Sequence, residues 1–246
     1  MMIDPLSDIV EYRCKANLNL YDSIDCQQLA TQAATGRQLR VCRLDLENPR
    51  QAIEVELCED DYPGWLAIAD WDLIEPASTV YQSQRLGEAD IQQRLSAVIA
   101  FTLEAMNTPN HYLWGGTVEP HYDCSGLIQA AFASQGIWLP RDAYQQEAFT
   151  HRISLDKSQL MLSCLKVGDL IFFGTSTKAT HVGLYLGEGR YIHSSGREKG
   201  RNGIGIDVIS DKGDIVSQGY YQQLRGAGRV VNGYQSGTKS IFALRR

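Results

Sequence analysis

No run of apolar residues in this chain of 246 approaches the ~20 needed to cross a bilayer. The opening residues, Met1-Met2-Ile3-Asp4-Pro5-Leu6, show neither a basic stretch nor an apolar one behind it. No secretory signal is visible there, and a cytoplasmic location is the expectation. Basic charge is also in short supply, since 23 Lys and Arg against 29 Asp and Glu leave a net charge of −6. Nucleic acids and anionic membrane surfaces select basic patches, so neither is expected as a partner. The six cysteines (14, 26, 42, 58, 124 and 164) form no C-x-x-C pair and no dense framework, which argues against a disulfide scaffold. Short Cys/His ligand spacings are missing too, so no metal site is expected, and no cofactor. Internal repeats and low-complexity tracts are absent.

What is present divides by periodicity. Residues 12–16, 38–42, 52–57 and 64–68 alternate or nearly so, with turn residues between, the pattern of a small all-β barrel over residues 1–80. The scattered cysteines 14, 26, 42, 58 and 164 are expected to be buried reduced thiols that act as small hydrophobes. Pro76 begins a polar stretch reaching Gly87, read as a linker over 81–87. From Glu88 the period changes, and Ile91, Leu95, Val98, Ile99, Phe101, Leu103 and Met106 predict an amphipathic helix ending near Pro109. Asp142-x-x-Gln145 is a capping box for a further helix. Strands return at Gly168–Gly174, His181–Leu186 and Arg190–His193, with two more expected around Gly205–Ile209 and Gly228–Val231. Helices first and antiparallel strands after make residues 88–232 an α+β domain. The tail, 233–246, receives no function.

Asp123-Cys124-Ser125-Gly126-Leu127 puts a cysteine where an apolar helix begins. Leu127, Ile128, Ala131 and Phe132 have the spacing of one buried helical face, and Gly136 is a natural stop. A thiol among the unpaired N–H groups of a helix start is biased toward thiolate, the nucleophilic form. A histidine arriving from elsewhere would complete a cysteine hydrolase.

His181 and His193 flank the turn Gly187-Glu188-Gly189. A three-residue loop over 187–189 opposes Leu186 to Arg190, and therefore Gly183 to His193. Both histidines then lie on one face as diagonal neighbours, within reach of each other's rings. A two-residue loop would place them on opposite faces. His181 is the candidate base for Cys124, and His193 the group that fixes its tautomer. His111, His121 and His151 stand in polar, loop-like contexts and are read as structural.

The segment from about Glu88 to Val231 carries six motifs in order. They are Tyr112-x-Trp114-Gly115-Gly116, Asp123-Cys124-Ser125-Gly126-Leu127, Leu139-Pro140-Arg141, Gly168–Phe173, His181–Gly187 and Tyr191-Ile192-His193. Together they resemble the NlpC-type cell-wall cysteine peptidases, which have a compact papain-like fold. The resemblance implies hydrolysis of the γ-D-glutamyl bond to a diamino acid in peptidoglycan stem peptides. It implies Cys124 as nucleophile, His181 as base and His193 as orienting group, with Asp123 and Ser125 helping to hold substrate. Asp123 also suits a helix N-cap. Ala143 stands where relatives often carry serine, so one hydroxyl that could contact peptide is missing.

The N-terminal region, through Tyr62-Pro63-Gly64-Trp65 and Asp70-Trp71-Asp72, resembles a bacterial SH3-like barrel. In similar two-domain enzymes the barrel walls one end of the cleft, its tyrosine facing the nucleophile. That implies a substrate-binding role for Tyr62 and a preference for short peptides with a free N-terminal L-alanine. Glu59, Asp60, Asp61 and Asp72 are candidate partners for that ammonium group. Two further readings stay open at this point. One is an amidase or acyltransferase acting on another amide or ester, and the other is a wall-binding adaptor without catalysis.

Overall fold

The computed structural model describes residues 11–43, 51–153, 155 and 162–237. The chain start, on which the signal reading was made, and the tail beyond 237 lie outside these residues. Contacts divide the chain into two compact units, one formed by Met1–Ser83 with Gln235–Arg246 and the other by Gln84–Tyr234. No helix among the described residues is long and apolar enough to cross a membrane.

The first unit is one antiparallel sheet of seven strands, β1 (Glu11–Cys14), β2 (Leu18–Tyr21), β3 (Leu29–Ala33), β4 (Gln38–Arg43), β5 (Ala52–Leu57), β6 (Pro63–Ala67) and β7 (Ile74–Pro76). Their order is β3-β2-β6-β5-β4-β1-β7. Alternation buries Leu18, Leu20, Leu39, Val55, Leu57 and Leu66 on the core face. Cys14 and Cys58 join that core, as expected of small hydrophobes. Cys42 and Cys164 do not, and both are exposed. Strand alternation accounts for Cys42: Leu39 and Val41 face the core, so Cys42 shares the outward side with Arg40. Cys164 lies in a short 3-10 turn with no buried residue. The described end of the tail is part of this unit, with the Gly237 N–H donating to Asp61 and the Ser236 N–H to Ser83.

The second unit begins with α1 (Glu88–Asn107), whose first turn carries Glu88 and Asp90, favourable at the positive helix end. Next come the short hairpin of β8 (Thr117–Val118) and β9 (His121–Tyr122), then α2 (Cys124–Ala133) and α3 (Ala143–Phe149). The capping box of α3 forms as its sequence predicts, the Asp142 N–H donating to Gln145 at 3.0 Å. A second sheet combines β10 (His151–Ile153), β11 (Leu170–Gly174), β12 (Ala179–Gly187), β13 (Arg190–Ser195), β14 (Gly203–Val208) and β15 (Leu224–Arg229). Its order is β10-β15-β11-β12-β13-β14, so β14 and β15 sit on opposite sides of the β11–β13 centre. Helix α4 (Ile215–Gln222) joins them. The predicted face of α2 (Leu127, Ile128, Ala131, Phe132) is fully buried, and the helix packs on β12, β13 and α1.

Gly126 explains part of the motif it belongs to. A Cβ on it would stand 2.0 Å from the Gly116 carbonyl oxygen, so the first turn of α2 touches the Tyr112–Gly116 loop through bare backbone. Gly126→Ala is therefore expected to cost about 3 kcal/mol, the upper end for an overpacked core. Urea unfolding of the two proteins reads this directly, and an unchanged midpoint would show that the loop yields freely.

Candidate active site

Cys124 is the first residue of α2, with Asp123 as N-cap in extended conformation. The Asp123 carboxylate accepts from the Gly126 N–H (2.7 Å), the Gly115 N–H (2.9 Å) and the Ser125 hydroxyl (3.3 Å). Arg141, itself buried, donates to both its oxygens (3.1 and 2.6 Å) and also to Ser125 Oγ (3.0 Å). Five donors thus meet a carboxylate with about four lone-pair sites. Asp123 is saturated by the protein itself, and Ser125 is bonded on both sides. The geometry gives these two residues the task of fixing the loop and helix start around Cys124. Ala143, first residue of α3, is buried.

The two histidines meet as the register reading requires, though the turn differs from the expected one. Leu184 opposes Ile192 and Tyr185 opposes Tyr191, the predicted ladder. At the tip, however, Gly187 opposes Arg190, and the register shifts between Tyr185 and Gly187. The turn is thus two residues, Glu188 and Gly189, both with positive φ (55° and 75°), as a type I′ turn demands. The bulge at Leu186 supplies the extra residue that keeps both histidines on one face. His181 Nε2 and His193 Nδ1 lie 2.6 Å apart, with rings near perpendicular.

Asp207 on β14 was not singled out in the sequence, yet it completes this line. The His193 Nε2–H donates to Asp207 Oδ2 at 2.7 Å, and Arg201 grips both carboxylate oxygens. The β13–β14 register opposes His193 to Gly205 and Tyr191 to Asp207, so Asp207 is a diagonal neighbour of His193. The diagonal relation that joins His181 to His193 across one hairpin joins His193 to Asp207 across the next. Tyr220 of α4 was missed as well; it stacks on His181 (4.3 Å between ring centres) and shares a 2.6 Å hydrogen bond with Ser195. Burial raises the phenols of both Tyr112 and Tyr220, and a thiolate at Cys124 would add to that rise.

Burial dominates the electrostatics. It pushes the Cys124 thiol up to about 12, and the neighbouring Asp123 carboxylate acts in the same direction. The N–H groups of Val182 and Ser125, with Arg141, oppose this without reversing it. Burial and the adjacent carboxylate thus work against the helix start, which favours thiolate. Burial also lowers His181 well below the usual imidazole value, helped by His193 and Lys199. His193 is lowered by burial against the opposing pull of Asp207. These shifts all favour a neutral thiol and neutral imidazoles beside one carboxylate. Because the Val182 N–H points at the thiol, Cys124 lies against β12 next to His181 in sequence. Such a set can pass a proton from sulfur to imidazole as the sulfur attacks a carbonyl.

The other candidates belong to other elements of the chain. His111 and His121 stack on each other (3.5 Å between ring centres), and His151 is exposed on β10. Tyr62, Glu59, Asp60, Asp61 and Asp72 all belong to the first unit. There Arg37 pairs with Glu59 (3.0 Å) and Asp60 (2.8 Å), and Arg40 with Asp61 (3.3 Å). These three carboxylates are engaged with guanidinium groups, while Asp72 is exposed. Among the described residues no group of three or more His, Cys, Asp or Glu could hold a metal ion.

Residues 109–225 match the model of the NlpC/P60 family, and residues 20–70 match that of the bacterial dipeptidyl-peptidase Sh3 domain. The bifunctional muramidase/DL-endopeptidase CwlT of Bacillus subtilis is 43% identical over 88 residues, 34% of this chain and 25% of that protein. The gamma-D-glutamyl-L-lysine dipeptidyl-peptidase of Bacillus cereus is 32% identical over 123 residues, 49% of this chain and 32% of its own. The matched stretch thus spans a third or less of either relative's length. A solved NlpC/P60 family protein from Bacillus cereus aligns over 92% of this chain and 64% of its own, at 22% identity and a TM-score of 0.43.

The raised thiol makes a prediction that needs no substrate. Iodoacetamide labelling of Cys124, followed by mass spectrometry of its peptide, should accelerate about tenfold per pH unit from 7 to 10, since the thiolate fraction grows throughout that window. A rate already flat above pH 7 would reveal a preformed thiolate instead.

Proposed function

From an NlpC/P60 domain following a bacterial dipeptidyl-peptidase SH3 domain, we infer that the chain is a member of the NlpC/P60 cell-wall peptidase family. Within it, we propose a cysteine peptidase that cuts the γ-D-glutamyl–diamino acid bond of peptidoglycan stem peptides. The observation that carries this reading is the buried His181–His193 pair on the strands against which the Cys124 helix packs.

In this reading Cys124 Sγ attacks the γ-carbonyl carbon of D-glutamate while its proton passes to His181. The Cys124 N–H, at the start of α2, donates to the developing oxyanion. Collapse of the tetrahedral intermediate breaks the C–N bond, and His181 returns the proton to the departing amine. Water then attacks the thioester carbonyl as His181 accepts its proton, the C–S bond breaks, and His181 returns the proton to Cys124 Sγ. His193 orients His181 throughout. No metal enters the scheme.

Support for the bond comes from the B. cereus relative, whose name specifies a γ-D-glutamyl-L-lysine dipeptidyl-peptidase. Release of a dipeptide requires a free N-terminus, which fits a substrate beginning with L-alanine. The proposal gives Tyr62 of the SH3 domain a place in holding that end. Glu59, Asp60 and Asp61 are weaker partners for the ammonium than the sequence suggested, because Arg37 and Arg40 already engage them.

Product analysis on L-Ala-γ-D-Glu-diaminopimelate and its N-acetylated twin tests both halves. The free peptide should be cut, the acetylated one at least about tenfold more slowly, a loss of about 1.4 kcal/mol of transition-state binding. Cys124→Ala should abolish cutting while its thermal melt stays near that of the wild type. Equal cleavage of the two peptides would refute the free-amine requirement, and residual activity in Cys124→Ala would refute the nucleophile.

A further inference from the structure

The direction of each hydrogen bond behind His181 follows from one fact: an ionised carboxylate can only accept. Asp207 is buried (side chain 1% exposed). Arg201 Nε donates to its Oδ2 at 2.7 Å, Arg201 Nη2 to its Oδ1, and Ser217 Oγ reaches Oδ1 at 3.4 Å. Despite the burial penalty, these contacts and His193 hold its carboxyl well below the usual carboxylate range. Asp207 is an acceptor at every pH near neutrality.

The rest is forced in sequence. His193 Nε2, 2.7 Å from Asp207 Oδ2, must carry a hydrogen. A neutral imidazole has one N–H, so His193 Nδ1 is a lone pair. That lone pair faces His181 Nε2 at 2.6 Å, so His181 is the donor in this bond. Its remaining nitrogen, Nδ1, is then bare and basic. The opposite chain of tautomers would put hydrogen on His181 Nδ1 and leave no nitrogen to receive the thiol proton.

We propose that Asp207, clamped by Arg201, is a positioning residue that sets the tautomers of both histidines and so makes His181 Nδ1 the atom that takes the Cys124 proton. The claim rests on the Cys124–His181 reading given above. The step balances: the S–H bond breaks as S–C forms, and the proton lands on His181 Nδ1. His181 becomes an imidazolium with hydrogen on both nitrogens, and His193 stays neutral. Asp207 never touches substrate. Its charge, one imidazole removed, also favours the imidazolium that forms.

Nitrogen-15 NMR of the full chain labelled in histidine tests this without any substrate. At neutral pH the wild type should show both rings as Nε2–H tautomers, His181 Nδ1 bearing no hydrogen. His181 found as the Nδ1–H form in the wild type would overturn the proposal outright. In Asp207→Ala the His181 signals should move toward a tautomer mixture, and kcat should fall about 10²–10⁴-fold, the range general acid–base catalysis contributes, with KM little changed. An unaltered tautomer with unaltered kcat would assign Asp207 a structural role only. The wild-type spectrum stands whether or not the variant folds. It is also independent of the proposed bond, since a chain that cuts no γ-D-glutamyl peptide still has readable tautomers.

Discussion

Burying an imidazole leaves a free-energy debt of about 1–3 kcal/mol for each ring nitrogen without a partner. Two imidazoles behind the Cys124 helix are therefore affordable only if their bonds run end to end into a group that terminates them. Three adjacent antiparallel strands meet that constraint. β12 carries His181, β13 carries His193 and β14 carries Asp207, each on the same face and each diagonal to the next. The six-stranded sheet holds that register, the bulge at Leu186 corrects it at the one turn that would spoil it, and Arg201 closes the far end. Tyr220 covers His181 from α4, so the line is sealed by an aromatic face as well as by hydrogen bonds.

The thiol end is built on a different principle. Its position depends on bare backbone, with Gly126 against the Gly116 carbonyl, and on one saturated carboxylate. Arg141 neutralises Asp123 inside the unit; removing one member of such a buried pair typically costs about 3–5 kcal/mol because the other is left uncompensated. The loop Tyr112–Gly116, the helix start and the Leu139-Pro140-Arg141 segment are thus one assembly, although they are separate in sequence. Chemical activation enters only when a proton can leave sulfur for His181. A neutral resting pair suits this, because neither charge has to be maintained in a desolvated site before substrate arrives.

Much of this was legible from residues alone. The buried face of α2 follows from the spacing of Leu127, Ile128, Ala131 and Phe132, and the hairpin ladder from the positions of His181 and His193. The turn itself was misread because a two-residue turn plus a bulge and a three-residue loop give the same facing pairs further down. Asp207 escaped because one register was worked out and the next strand was not. The strand β3 buries Thr31 and Ala33, a hydroxyl-bearing and a small side chain, so its core face carries little apolar signal. Helix α4 contains Gly219 and leaves Ile215 82% exposed, which blurs the helical period. The thiolate expectation weighed the helix start alone, whereas burial and the adjacent Asp123 carboxylate act in the opposite direction.

The proposed reaction passes through a covalent bond between Cys124 and the γ-carbonyl carbon of D-glutamate. Acid-quenching the enzyme during turnover of L-Ala-γ-D-Glu-diaminopimelate, then digesting and sequencing it by mass spectrometry, looks for that bond directly. An L-Ala-γ-D-Glu adduct is expected on the peptide containing Cys124 and on no other cysteine. Steady product release with an adduct on a different residue would contradict it.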